Sequence, residues 1–230
     1  MDLKIKDIAE VLQISEGMVK EMLSKNQIPG YSFDKQVLFS SIECEEWILQ
    51  FLKRNVHINR DQKHNKKKRY QGLQKFSLFR AFNNGDILFS ISGENKEKVI
   101  RQTMGQVASC MLEADPLVIS ELLIDRERQS STAIGNGIAI PHTQEFSMTV
   151  AKNVIVIACL KKSVPWDGID QKSVSYCFFL FSYSKKSHLD LLAKLSLLIQ
   201  SEQMMGYLKN TKLEKQQWLQ YVREWESQLS

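Results

Sequence analysis

Residues 122–144 read LLIDRERQSSTAIGNGIAIPHTQ, and this stretch decides how the rest of the chain is understood. Leu122 and Leu123 end a helix-like apolar pattern, after which come Asp125, Arg126 and Glu127. Ser130, Ser131 and Thr132 then crowd against Gly135-Asn136-Gly137. Glycines on both sides of Asn136 permit positive φ and a close approach of backbone. Small hydroxyls and free amides beside such a turn suit an oxyanion cradle, which makes Ser131, Thr132 and Asn136 candidate anion-binding residues. An apolar strand, Ile138-Ala139-Ile140, ends at Pro141-His142, and the proline constrains the direction in which the histidine is presented. Alone, a histidine after a strand is more often structural or exposed than catalytic, and a GxG tripeptide is equally weak.

Outward from this segment the chain falls into three blocks. Residues 1–53 carry helix signals around one short extended stretch. Residues 54–72 are polar and basic, the composition of a linker, and include KHNKKKRY at 63–70. Such a run is ordinarily a solvated connector, with phosphate-backbone contact as the alternative. From Leu73 to Ser230, strand-like and helix-like runs alternate, the pattern of an α/β domain.

In that last block the residues closely resemble the phosphoacceptor motif of phosphotransferase-system IIA domains of the fructose/mannitol and nitrogen-regulatory type. The shared pattern is a leucine pair, an arginine, Ser-Thr, Ile-Gly-x-Gly, a short β-branched strand and Pro-His. Ala133 and Thr143 stand where the family usually has glycine. The resemblance extends over most of 73–230, through NVIVIACLKKSVPWDGIDQKSVSYCFFLF and HLDLLAKLSLLIQ. The spacings also match the family: 142 − 126 = 16 from arginine to first histidine, and 188 − 142 = 46 between histidines.

This resemblance implies a mixed β-sheet flanked by helices, with His142, Arg126 and His188 as the catalytic group. Nε2 of His142 is the implied phosphoryl acceptor, since imidazole is nucleophilic near neutral pH. Arg126 suits the equatorial oxygens with its planar, permanently charged fork; its ordinary alternative is a surface ion pair with Glu127 or Asp125. His188 opens a helix beside the acceptor, where helix amides face the same anion. Ser131, Thr132 and Asn136 are the expected phosphate-binding residues. Thr143 puts the donor and the rate in doubt.

The first block reads as two short helices, a small hairpin and a closing helix. Ile5, Ile8, Ala9 and Leu12 share one face; Ser15 caps a helix whose inner face is Met18, Val19, Met22 and Leu23. Ile42, Trp47, Ile48 and Leu49 sit on the closing helix. The sequence resembles the excisionase/MerR-like winged helix-turn-helix over about 50 residues. DNA contact would fall to Lys20, Lys25 and Asn26, but Glu16 and Glu21 would repel phosphate. A protein-contact or dimerisation role stands as the alternative.

Bulk properties add bounds. The formal charge is +5, with 43% hydrophobic and 25% charged residues. No apolar run approaches the roughly 18–20 residues of a membrane span, and the amino terminus does not resemble a secretory signal, so a cytoplasmic location is expected. Cys44, Cys110, Cys159 and Cys177 are scattered, which points to reduced thiols, with Cys177 plain core. Neither metal nor cofactor is expected, because no ligand cluster has suitable spacing. The implied partners are an HPr- or NPr-like phosphocarrier and a IIB-type or regulatory target. No IIB or IIC segment is visible, which favours a regulatory, nitrogen-type role. The alternatives are a DNA-binding regulator controlled by phosphorylation and a non-catalytic scaffold.

Overall fold

A computed structural model describes residues 2–12, 14–33, 36–55, 76–107, 114–143, 150–168, 170–210 and 213–229. The amino-terminal region consists of β1 (Leu3–Lys4), α1 (Ile5–Leu12), α2 (Glu16–Ser24), β2 (Tyr31–Phe33), β3 (Gln36–Phe39) and α3 (Ser41–Asn55). Its strands form an antiparallel sheet in the order β1-β3-β2. Asp7 accepts the Lys4 amide at 3.0 Å, and the Ser15 hydroxyl accepts the Met18 amide at 3.2 Å. Each satisfies a helix-start N–H that has no partner within its helix. The Trp47 indole donates to the Gln27 carbonyl at 2.6 Å, closing α3 onto the turn after α2.

Met18, expected on the inner face of its helix, is 51% exposed, and Ile42 on the closing helix is 52% exposed. Met18 lies one residue from the buried Val19 and Ile42 two residues from the buried Cys44, and each residue turns a helix by about 100°. Helix α3 continues to Asn55, so its last two residues fall within the segment expected as linker. The remainder of the linker, with His57 and His64, lies outside the described residues, as does Cys110.

The second region runs α4 (Ser77–Asn84), β4 (Ile87–Ile91), α5 (Lys96–Gln106), α6 (Pro116–Gln129), β5 (Ala133–Gly135), β6 (Ile138–Ala139), β7 (Val154–Val164), β8 (Val174–Phe181), α7 (Lys185–Ile199), α8 (Glu202–Lys209) and α9 (Lys215–Ser227). The five strands are ordered β4-β7-β8-β6-β5. The β4/β7 and β6/β8 pairs are parallel, while β7/β8 and β5/β6 are antiparallel. This is the expected mixed sheet flanked by helices. Its central strands are almost continuously apolar because helices cover both faces.

Strand alternation divides the core. Ile138, Ile140, Ile155, Ile157, Phe178 and Leu180 face one side, with α4, α7 and α9. Ala139, Val154, Val156, Cys177, Phe179 and Phe181 face the other, with α5 and α6. The cluster on the first face continues into the amino-terminal region through Ile8, Val11, Cys44, Ile48 and Leu49. Cys44, Cys159 and Cys177 are buried free thiols. Burial pushes the Cys44 thiol up to about 12 and raises Cys177 well above its ordinary value. No described helix is long and apolar enough to cross a membrane.

Helix α4 begins without a side-chain cap of its own; its first residue follows Phe76 at φ 60°. Glu226 from α9 supplies the missing acceptor, taking the Leu78 amide at 3.2 Å and the Phe79 amide at 2.9 Å. Helix α6 also differs from expectation. It does not stop at Leu123 but continues to Gln129, placing Arg126 and Glu127 in its last turn. The DRERQ run consists mostly of good helix formers, and Ser130 in an extended conformation ends it.

Candidate functional site

His142 follows β6, and its alternation phase with Ile138 and Ile140 turns its side chain to the face covered by α7. Pro141 O accepts the Leu180 amide at 3.0 Å, and His142 bridges to Leu180 in parallel register, so the histidine is fastened to the central strand β8. Its Nδ1 lies 2.6 Å from Ile140 O. A carbonyl oxygen only accepts, so Nδ1 carries a proton and Nε2 is left facing the site.

His188 sits one turn inside α7, not at its start, and its own amide bonds Ser184 O. The expected cradle of free helix amides is therefore replaced at this point by a side chain. The two imidazole centroids are 5.1 Å apart. Arg126 reaches over from α6, steadied by an Nη1 bond to Ser130 O at 3.1 Å. It is buried, unlike the surface ion pair considered for it; Asp125 pairs with Arg128 instead, at 3.2 Å. Arg126, His142 and His188 thus converge from three elements.

At their focus lies a residue that sequence reading passed over. Glu45 of α3 places Oε1 at 2.7 Å from Arg126 Nη2, 3.1 Å from Arg126 Nε and 2.8 Å from His142 Nε2. Its other oxygen is 3.1 Å from His188 Nε2. All four side chains are buried, His142 completely. Burial alone would raise the Glu45 carboxyl, but His142 and His188 outweigh it and hold the group well below its usual 4.5. Burial lowers His188 below its ordinary 6.5 despite the attraction of Glu45. A signal for Glu45 existed: it shares the buried face of α3 with Cys44, Ile48 and Leu49, an odd place for an acid.

The predicted oxyanion residues are placed differently. Ser131 donates to Trp166 O at 2.6 Å, and Thr132 binds Glu127 through both its amide and its hydroxyl. Asn136 sits exposed at the β5–β6 turn with φ 54°, between Gly135 at 99° and Gly137 at 73°. The glycines therefore serve the hairpin, and Asn136 is roughly 15–20 Å along the strand from His142. Thr143 is buried beside the acceptor. In the amino-terminal region Lys20 is exposed on α2, Lys25 pairs with Glu21 at 2.6 Å, and Asn26 ends the helix at φ 51°.

Spacing along the sequence shows no ligand cluster, yet folding brings ligand atoms of Glu45, His142 and His188 within 4.8 Å of one another. Their separations are hydrogen-bond lengths, and the Arg126 guanidinium on the same carboxylate oxygen opposes a cation there. The donor set suits an anion.

The family model for the phosphoenolpyruvate-dependent sugar phosphotransferase system, EIIA 2, matches residues 80–224. The chain belongs to this IIA family. The nitrogen regulatory protein of Pseudomonas aeruginosa is 29% identical over 128 residues, covering 55% of this chain and 82% of that protein. The fructose-specific EIIABC component of Bacillus subtilis is 30% identical over 124 residues, covering 53% of this chain and 19% of the other. The nitrogen regulatory protein of Escherichia coli is 32% identical over 102 residues, 44% of this chain and 61% of its own. A solved structure of nitrogen regulatory protein IIA-Ntr from Neisseria meningitidis is similar with a TM-score of 0.48 and 22% identity, covering 64% and 94% of the two chains. This is a phosphoryl-carrier-type IIA domain, distantly related to the nitrogen regulatory proteins. The family match leaves residues 1–79 outside it.

Proposed function

We propose that this IIA domain accepts a phosphoryl group on Nε2 of His142 from an HPr- or NPr-like phosphohistidine carrier and acts as a nitrogen-regulatory IIA. The observation that carries this reading is the convergence of Arg126, His188 and His142 Nε2 on one anionic group. With Nδ1 protonated against Ile140 O, a neutral His142 has its lone pair on Nε2. That pair attacks phosphorus as the donor's N–P bond breaks and the donor imidazole keeps the bonding electrons. Arg126 and His188 are positioned to disperse charge on the equatorial oxygens, the main task in phosphoryl transfer. Onward transfer to a IIB-type protein, or regulation of a target, would follow from the same labile bond. The nitrogen-regulatory assignment is supported by the relatives in P. aeruginosa and E. coli.

Incubation with a phosphorylated HPr-type carrier tests it. Wild type should gain one acid-labile, alkali-stable phosphate and His142→Ala none. Equal labelling of the two proteins, or none in either, would leave a non-catalytic scaffold. A second reading concerns residues 1–53, where two helices, a hairpin and a closing helix follow in the order of a winged helix-turn-helix. The exposed Lys20 favours duplex contact. Anisotropy titrations of the full chain at several salt concentrations should then show salt-dependent binding, and flat titrations would eliminate it.

A further inference from the structure

We infer that Glu45 is a built-in substitute for the phosphoryl group, and that the amino-terminal module caps the acceptor site until phosphorylation of His142 displaces it. The inference rests on the phosphoryl-acceptor role proposed for His142.

The carboxylate is held as a transferred phosphoryl group would be. One oxygen takes two guanidinium bonds and faces His142 Nε2; the other faces His188 Nε2. Two consequences follow for reactivity. An incoming phosphorus must approach to about 3–3.5 Å along the Nε2 lone pair, and Glu45 Oε1 already stands 2.8 Å from that atom. The ring also has an acceptor at each nitrogen, Ile140 O at Nδ1 and Glu45 at Nε2. Hydrogen bonding to both requires a proton on each, so the capped ring has no lone pair to offer.

The cap is held by more than one residue. Cys44, Ile48 and Leu49 of α3 and Ile8 and Val11 of α1 belong to the apolar cluster that covers the α7 face. Lys186 on α7 pairs with Glu10 at 2.6 Å and Asp7 at 3.6 Å on α1. Glu45 therefore does not reach the site as a flexible surface acid; a packed helix delivers it.

Phosphoryl and carboxylate cannot share the site. A protein-bound phosphoryl group carries about −1.5 to −2 charge, and a buried carboxylate at hydrogen-bond distance from it would meet strong repulsion in a poorly solvated pocket. Occupancy is mutually exclusive. The coupling is reciprocal: whatever closing the cap costs phosphorylation, phosphorylation costs the cap. The IIA site then doubles as a switch that reports its phosphorylation state through the freedom of α1 and α3.

Potassium phosphoramidate, a small donor that needs no docking protein, tests this on the full chain. His142 Nε2 forms the new N–P bond as the donor's P–N bond breaks and ammonia leaves with that electron pair. Glu45→Gln and Glu45→Ala should label about tenfold faster than wild type, as expected if the uncapped form is about a tenth of the population. Hydrogen exchange of the phosphorylated wild type should accelerate across residues 41–50 and 185–192. Equal labelling rates with unchanged exchange would overturn the cap while leaving the acceptor role intact. No label on any of the three proteins would end the acceptor role and the cap together.

Discussion

Helix α7 carries two buried charged clusters, and they are built on different principles. One turn in, His188 joins His142, Arg126 and Glu45. Farther along, Lys194 bonds Glu226 at 3.1 Å, Asp190 at 3.3 Å and the Ser77 hydroxyl at 2.7 Å. Among the described residues the members of the second cluster belong to α4, α7 and α9, and Glu226 also caps α4. One lysine faces two carboxylates, and their bonds tie three helices of the IIA domain together. In the first cluster the carboxylate arrives from outside the family-matched region. One is a structural tie; the other is a vacancy for an anion filled by a neighbour.

The largest expected difference is in stability. Lys194→Met strands two buried carboxylates and should destabilise by about 3–5 kcal/mol, the usual result of breaking a buried pair. Glu45→Gln should cost only about 1–2 kcal/mol, because the module can separate and let water reach Arg126 and His142. Urea unfolding at pH 7.5 measures both. Equal losses would mean that the two regions unfold as one unit and that the contrast is false.

Arg126→Lys comes next. Lysine keeps the charge but loses the planar fork that meets one carboxylate oxygen with two nitrogens. Labelling of His142 should slow by about 10- to 100-fold, consistent with one charge-assisted hydrogen bond of roughly 1.5–3 kcal/mol. An unchanged rate would remove Arg126 from the transfer step.

Acid separates the clusters by sign. Glu45 and His188 have lowered folded values, so their contribution is present above 4.5 and 6.5 respectively and lost as pH falls. Asp190 is raised above its ordinary 3.8, first by burial, against the pull of Lys194; its contribution is present below 3.8 and lost as pH rises through the folded value. The stability gap between wild type and Glu45→Gln should therefore narrow as pH drops below 4.5, and that between wild type and Asp190→Asn should not narrow with it. Urea midpoints from pH 3 to 8 decide this. The smallest effect is expected at Lys186: its pairs with α1 are partly solvated, so Lys186→Ala should cost no more than about 1 kcal/mol and lose that difference in high salt.

Much of this molecule was legible before folding. The strand-like apolar runs of β7 and β8, the Ser15 cap, and the Pro-His end of an apolar strand are local patterns, and each appears where its residues predict it. Asn136 was read as part of the cradle for a local reason as well. Glycine at positive φ serves a hairpin and an anion site equally well, and only the direction of the chain places Asn136 at the far end of the strand from His142.

By itself, the sequence determined the helix and strand periods and singled out Arg126, His142 and His188 as candidates, since each depends on neighbours within a few residues or on a spaced motif. Only the tertiary structure decided what those three side chains hold. Glu45 lies 81 residues from Arg126, 97 from His142 and 143 from His188. No local propensity records such a meeting. It arises because burying the apolar faces of α1 and α3 against α7 lowers the free energy most in one docking geometry, and that geometry carries an acid into a pocket made for an anion.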